Sequence, residues 1–300
     1  MTSTTSTTPA GANPLYRWGK RSLATLGTLM AGLSLACLST TAGAETGNAN
    51  ELRICAADEA PFSQRDGEGF ENRIAVVVAE AMGRTPKFVY SERPGIWLVR
   101  DYLDKELCDV VMGLDKGDPR VLTTRPYYRT GYVVVTRKDL DFTLSDWNDD
   151  NLAKLTNIAV QLGSPPVEML KAIGKFETNM NYMYSLIDFK QPRNQYVRVD
   201  PARMINEVIQ GKADAAMVFA SEIARYVKGS TVPLDMALLP PDTVPDSQGR
   251  TIEFVYAESI AVRKDDQALL DALNEALDKA QPQINEILQE EGIPLLELES

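Results

Sequence analysis

The stretch Cys108–Tyr132, CDVVMGLDKGDPRVLTTRPYYRTGY, decides the fold because it holds a polar loop between two strand signals. The first signal, 109–112, is a short valine-rich run that stops at Gly113. The second, 131–135, follows a loop rich in glycine, aspartate and proline. A buried strand that ends in such a loop is where α/β proteins place ligand contacts. We therefore predict a binding loop at the carboxyl end of a buried strand.

The chain before this stretch alternates between strand and helix patterns. Strands are predicted at 52–57 and 87–90, and helices at 70–82 and 96–105. Together with the strand after Cys108 they form a β-α-β-α-β unit. Such a unit implies a parallel sheet with right-handed crossovers.

A second β-α-β unit follows, and the chain then returns to the first. The unit has strand patterns at 158–161 and 213–219, and the return supplies a strand at 252–262 and an amphipathic helix at 266–290. We predict an α/β protein of two lobes with a cleft between them. Lobe 1 comprises 51–138 plus 239–300, and lobe 2, 139–238, is inserted between its halves.

The first 44 residues have the pattern of a secretory signal peptide. Three basic residues precede the apolar run Leu23–Leu38, and Ala42-Gly43-Ala44 has the form of an A-x-A cleavage site. We predict cleavage near Ala44, a periplasmic location and no membrane attachment afterwards. An uncleaved membrane anchor is the alternative, but the apolar run is too short and too rich in Gly, Ser and Thr to be a good membrane span.

Charge and composition exclude several classes of function. Cleavage would remove three positive charges and no negative ones, and so change the net charge from −11 to −14. That charge repels nucleic acid and anionic lipid and favours a basic partner. The sequence has no histidine, which excludes Ser-His-Asp and Cys-His catalysis and a tetrahedral Cys/His zinc site. We predict no enzyme activity, catalytic residue, metal or cofactor, since no two acids pair at a spacing useful for carboxylate-only chemistry.

Three segments resemble the periplasmic solute-binding proteins of the amino-acid-binding type. They are LRIC with DEAPFS at 52–63, GEGFENRIAVVVAEAMG at 67–83, and PRVLTTRPYYRTGYVVVTRKD at 119–139. The resemblance covers nearly all of the chain after the signal. It implies the type II periplasmic binding protein fold, in which each lobe is a mostly parallel sheet flanked by helices.

The Cys55 and Cys108 pair, GEGFEN at 67–72 and LTTRPYYRTGYV at 122–133 resemble one branch of that family. This is the J-type branch associated with quinoprotein dehydrogenases of methanol oxidation. The resemblance implies a non-enzymatic accessory protein that assists assembly or activation of a PQQ-dependent methanol dehydrogenase. Its partner would be the dehydrogenase or its cytochrome c or small subunit. The alternative is an ABC-transporter-type solute-binding protein for a small anionic ligand.

The family's ligand site suggests four cleft residues: Phe62, Arg120, Gly163 and Ser164. Arg120 stands where amino-acid binders grip the ligand carboxylate, although it could instead pair with Asp115 or Asp118. Gly163 and Ser164 begin a helix and could bind an anion or simply cap that helix. No carboxylate occupies 218–221, where family members hold the ligand ammonium. We therefore predict that ordinary α-amino acids do not bind, because a buried ammonium needs a counter-charge.

The resemblance also bears on the cysteines and on a partner surface. Cys55 and Cys108 fall on neighbouring strands in the family's strand order, so we predict a disulfide, with free buried thiols as the alternative. The stretch 179–196 is rich in Met, Tyr and Asn, residue types that favour interfaces or pack within their own lobe. The candidate partner-surface residues are Trp97, Tyr182, Met183 and Tyr184, with Trp147.

Overall fold

The computed structural model describes residues 50–187, 198–241, 245–246 and 248–298. The predicted signal peptide, 1–44, lies outside these residues. No helix within them is long and apolar enough to cross a membrane. The strands are β1 Glu51–Ala57, β2 Thr85–Ser91, β3 Val110–Asp115, β4 Leu122–Thr123, β5 Tyr128–Arg137, β6 Ile158–Val160, β7 Ala215–Phe219, β8 Leu234–Leu238 and β9 Val255–Val262.

The α-helices lie between these strands, as the alternating pattern predicts. They are α1 Phe70–Ala81, α2 Asp150–Lys154, α3 Pro165–Ala172, α4 Phe176–Ser185, α5 Pro201–Ile209, α6 Ala220–Lys228 and α7 Gln267–Glu291. Short 3-10 turns span Gly95–Trp97 and Lys138–Leu140, and a π-helical turn spans Val99–Leu103.

The strands form a sheet in the order β2-β1-β3-β9-β5-β7-β6, with β4 beside β9 and β8 beside β5. The pairs β1–β2, β1–β3 and β6–β7 are parallel, as predicted. The strands β5 and β9, however, pair antiparallel with all their neighbours. The sheet is therefore mixed and not mostly parallel, because the returning strand β9 runs antiparallel to β3 and β5 on either side of it.

Two local predictions are wrong. The strand after Cys108 does not stop at Gly113 but continues to Asp115, with a register shift against β9 between Val111 and Leu114. Gly113 has φ +64°, which glycine adopts at such an irregularity without the steric penalty of a side chain. The predicted helix at 96–105 is replaced by the 3-10 and π-helical turns, and Glu106 follows them at φ +58°.

Helices pack on both faces of the sheet and form separate cores. In the first half, α1 and α7 bury Ile74, Val78, Leu273 and Ile284 together. In the second half, the alternation of β5 sends Val133 and Val135 towards α5 and α6, and Val134 towards α3 and α4. The boundaries of the two lobes remain a prediction.

The predicted disulfide joins Cys55 on β1 to Cys108, two residues before β3, with Cα atoms 5.4 Å apart. Both cysteines are buried in a small cluster with Leu103 and Val111. The bond ties the strand at the centre of the parallel half to the start of the next strand. The prediction of a disulfide over free thiols is thus confirmed.

Candidate functional site

A cavity of about 380 Å³ lies at the carboxyl ends of β1 and β3 and beside the start of α1. Its walls are mainly apolar and include Phe62, Phe88 and Ile96. Glu59, Glu71 and Glu222 bring three carboxyl groups to it, and Arg198 brings a guanidinium. This combination of apolar walls with a few convergent polar groups is typical of a binding site.

The guanidinium of Arg198 bridges two of these acids. Its Nη1 lies 3.4 Å from Glu59 Oε2, and its Nη2 lies 3.1 Å from Glu222 Oε2. Its Cζ is 5.4 Å from the centre of the Phe62 ring. Glu59 follows β1 and Glu222 lies in the first turn of α6, so one side chain connects the two predicted lobes across the cleft.

Local backbone contacts position Arg198. The side-chain amide of Gln161, just after β6, donates to the Val199 carbonyl at 2.7 Å, and Val199 N–H donates to its Oε1 at 2.9 Å. Asp200 then caps α5 by accepting a hydrogen bond from Ala202 N–H at 2.8 Å. Arg198 is therefore held between a buried amide and a helix start.

A second, smaller cavity of about 250 Å³ shares Glu222 with the first. Asp115 and Glu258 line it, together with Tyr132, Phe219 and Tyr256. Burial raises the pKa of Glu258 to about 8, with further contributions from Asp115 and Glu71. Burial, followed by the charge of Asp118, also raises the pKa of Asp115. Most of the charged side chains that line the two cavities are thus carboxyl groups.

Glu71 is the most deeply buried acid of the larger cavity, with 5% of its surface exposed. Tyr127 donates its hydroxyl hydrogen to Glu71 Oε2 at 2.7 Å, while Glu71 Oε1 has no hydrogen-bond partner among the described residues. Burial raises the pKa of Glu71 to about 7, and the Tyr127 hydrogen bond offsets part of that rise. The carboxyl group is therefore protonated in part near neutral pH.

Comparison with known proteins assigns this chain to a family. Residues 52–290 match the bacterial extracellular solute-binding proteins, family 3. The chain is also 50% identical over 249 residues to the protein MoxJ of Methylorubrum extorquens, covering 83% of each. The chain belongs to this family and, within it, to the MoxJ group. Assignment to the J-type branch is thereby confirmed.

Solved structures of family members confirm the type II periplasmic binding protein fold. The crystal structure of MxaJ from Methlophaga aminisulfidivorans is 47% identical, with a TM-score of 0.77, over 82% of this chain and 100% of that chain. The periplasmic binding protein XoxJ from Methylobacterium extorquens is 25% identical, with a TM-score of 0.60, over 82% of this chain and 99% of that chain.

Of the cleft residues that the family's ligand site suggests, Phe62 lines the larger cavity. Arg120 lines neither cavity, and its Nη2 lies 2.6 Å from Asp118 Oδ2. Asp118 also accepts a hydrogen bond from the backbone N–H of Arg120 at 2.9 Å. The structure thus shows the alternative in which Arg120 pairs with its neighbour.

Gly163 and Ser164 precede α3, as predicted, but neither lines the two cavities. The hydroxyl of Ser164 donates to the Gln161 carbonyl at 2.6 Å and makes no capping hydrogen bond with the helix. Gly163 has φ +77°, a conformation that favours glycine in the turn between β6 and α3. Their arrangement serves the turn, and an anion role for them remains a prediction.

Two of the proposed partner-surface residues are buried in the core. Met183 on α4 is 1% exposed, and Trp147 is 3% exposed and stacks on Phe254. Met183 packs within its own predicted lobe because α4 turns one side towards β6, whereas Trp147 contacts Pro240 and Phe254 of the returning segment. Tyr184 is exposed and Tyr182 half-buried, while Trp97 lies beneath the guanidinium of Arg100 at 4.1 Å. The rest of the stretch, 188–197, lies outside the described residues.

Sequence reasoning missed Arg198, Glu59 and Glu71 as cleft residues. Glu59 and Glu71 lie within the segments 52–63 and 67–83 that resemble the family, but nothing in those segments marks their carboxyl groups as facing a cavity, and Arg198 lies outside every such segment. Glu222 lies one residue beyond 218–221, where family members hold the ligand ammonium, and the first turn of α6 brings it to the cleft. Glu71 had one usable signal, an acid in the apolar sequence that begins α1.

Proposed function

We propose that this chain is a periplasmic, non-enzymatic accessory protein that assists assembly or activation of a PQQ-dependent methanol dehydrogenase. The observation that carries the proposal is the 50% identity to MoxJ over 83% of the chain. The J-type branch that this chain resembles is associated with such dehydrogenases. Its partner would be the dehydrogenase or its cytochrome c or small subunit.

The cleft supports a role other than uptake of a small anion. The cation expected to grip an anion, Arg120, is paired with Asp118, and the larger cavity is lined by three acids. Arg198, the cation that does reach the cavity, already contacts Glu59 and Glu222. A carboxylate ligand would have to break these pairs and enter beside further carboxylates, which is electrostatically unfavourable.

The experiment compares a strain that lacks the gene with its parent and with the complemented strain. The methanol dehydrogenase is purified from each, and its specific activity, PQQ content and subunit composition are measured. In the deletion strain we expect normal transcript levels of the dehydrogenase genes but an enzyme with reduced activity or incomplete subunits. Complementation should restore the activity and the subunit composition. An identical dehydrogenase from all three strains would refute the proposal.

Isothermal titration of the purified protein with a panel of amino acids and small carboxylates tests the transporter alternative. We expect no micromolar binding. Micromolar affinity for one of these metabolites, with an unaffected dehydrogenase in the deletion strain, would favour a solute receptor.

A further inference from the structure

The larger cavity contains a buried acceptor without a donor. Glu71 is 5% exposed, and its Oε1 has no hydrogen-bond partner among the described residues. The other oxygen, Oε2, is already engaged by the Tyr127 hydroxyl at 2.7 Å. A buried carboxylate oxygen left in this state is unfavourable, and a donor or a positive charge from a ligand would relieve it.

The walls around this oxygen define what such a ligand can be. They are formed mainly by aliphatic and aromatic side chains, including Ile54, Phe88, Leu98 and Met112. The volume of about 380 Å³ lies in the range of about 300–1,000 Å³ typical of ligand pockets. A ligand that fits must therefore combine an apolar stem with a positively charged or donating end.

The mouth of the cavity already binds a cation. Arg198 places its guanidinium between Glu59 and Glu222 and over the Phe62 ring. Its side chain is 34% exposed, and the distance to Glu59 is 3.4 Å. Partly exposed ion pairs of this kind contribute little to stability. A basic group that enters the cavity can therefore displace the Arg198 side chain from Glu59 and Glu222 at little cost in free energy.

We propose that this cavity receives a lysine side chain of a partner protein, whose ammonium group binds Glu71 Oε1 while its stem lies against the apolar walls. Lysine fits better than arginine because one free oxygen suits a compact ammonium, whereas a guanidinium fork prefers two acceptor oxygens. The identity of the partner rests on the proposed function. The chemistry of the ligand rests on the cavity alone.

The test uses the capped peptide acetyl-Gly-Gly-Lys-Gly-Gly-amide as the probe and the same peptide with norleucine as its neutral match. Binding is measured by isothermal titration to the wild type, Glu71→Gln, Glu222→Gln, Arg198→Gln and Glu275→Gln. Glu275 is an exposed acid of α7 that does not line the cavity and serves as the control. Circular dichroism and thermal unfolding establish that each variant is folded.

We expect the lysine peptide to bind at least tenfold more tightly than the norleucine peptide. Glu71→Gln should weaken binding of the lysine peptide at least tenfold, and Glu222→Gln several-fold, because each loses a negative charge near the ligand. Arg198→Gln should strengthen binding several-fold because the mouth is vacated. Glu275→Gln should bind as the wild type does.

Equal binding of the two peptides, or unchanged binding by folded Glu71→Gln, would overturn the proposal. No binding of the lysine peptide to the wild type or to Arg198→Gln at about 10 mM peptide would also overturn it. Free L-lysine binding tenfold more tightly than the capped peptide would also overturn it, in favour of a small-molecule ligand. A dehydrogenase defect in the deletion strain without peptide binding refutes the lysine site alone. Peptide binding with a normal dehydrogenase refutes the proposed function alone.

Discussion

Replacement of Glu71 by glutamine should stabilise the protein at alkaline pH far more than at acidic pH. Burial raises the pKa of Glu71 from its ordinary value of 4.5 to about 7. At about 1.4 kcal/mol for each pH unit, the charged carboxylate therefore destabilises the folded state by about 3 kcal/mol at pH 8 and by about 1 kcal/mol at pH 5. Glutamine removes this charge and keeps an oxygen that accepts the Tyr127 hydrogen bond.

The sign follows from proton binding. Between pH 4.5 and about 7 the folded state holds a proton on Glu71 that the unfolded state has lost. The free energy of unfolding therefore falls as pH rises through this window and is level above it. Tyr127, Tyr128 and Glu258 are the titratable groups that interact with Glu71. The pKa of Glu258 is raised to about 8, so Glu258→Gln should show the same effect with the window extended to higher pH.

Urea unfolding at pH 5 and at pH 8 measures the effect, with equal m-values as the condition for comparing the free energies. Glu71→Gln should gain about 2 kcal/mol more than the exposed control Glu275→Gln does on going from pH 5 to pH 8. If the free energies of unfolding of the wild type and Glu71→Gln changed in parallel with pH, the inference that burial destabilises the charged Glu71 carboxylate would be refuted.

Three further changes test the framework of the cleft by urea unfolding. Arg225→Met should destabilise by about 2 kcal/mol, because the buried Glu291 loses its two hydrogen bonds from Arg225 at 2.6 and 2.8 Å and keeps only the more distant Arg73 at 3.6 Å. Glu291→Gln in the same chain should restore part of this loss. Equal stability of Arg225→Met and the wild type would contradict the prediction. Replacing both Cys55 and Cys108 by serine should lower the free energy of unfolding by about 4 kcal/mol, since the disulfide closes a loop with a sequence separation of 53. A loss below about 1 kcal/mol, a factor of about 5 in the folding equilibrium, would contradict this prediction. Asp200→Ala should remove the α5 cap and lose about 1 kcal/mol, whereas Asp200→Asn should retain most of it.

Most of the strands and longer helices could be predicted from the sequence because each carries its own local signal. Residues 266–290 have the apolar period of a helix, and α7 spans Gln267–Glu291. The region at 96–105 also has helical spacing, but the structure forms two short turns there, and no local pattern in the sequence marks that difference. The antiparallel course of β9 likewise depends on the order in which distant segments meet.

The cleft was less predictable because its charges come from remote parts of the chain. Phe62, which the family resemblance suggests, lines the larger cavity, whereas Arg120, suggested by the same resemblance, lines neither cavity and pairs with Asp118. Arg198 had no family signal, and its position depends on Gln161 and on the start of α5. Contacts between residues tens of positions apart decide which charged side chains face the cleft.

The stretch Cys108–Tyr132 has its strongest effect on the cleft through Gly113 and Tyr127. The Gly113 N–H donates to the Tyr127 hydroxyl at 3.0 Å, and that hydroxyl donates to Glu71 Oε2 at 2.7 Å. A Cβ atom at position 113 would lie 3.0 Å from Glu71 Oε1, so glycine avoids a tight contact with the unpartnered oxygen. Residues on either side of the Arg120 loop thus support a buried acid here. The carboxyl groups of the cavity favour a basic protein group as the ligand. They disfavour a free amino acid, because its carboxylate would find no available cation among the described residues that line the cavity.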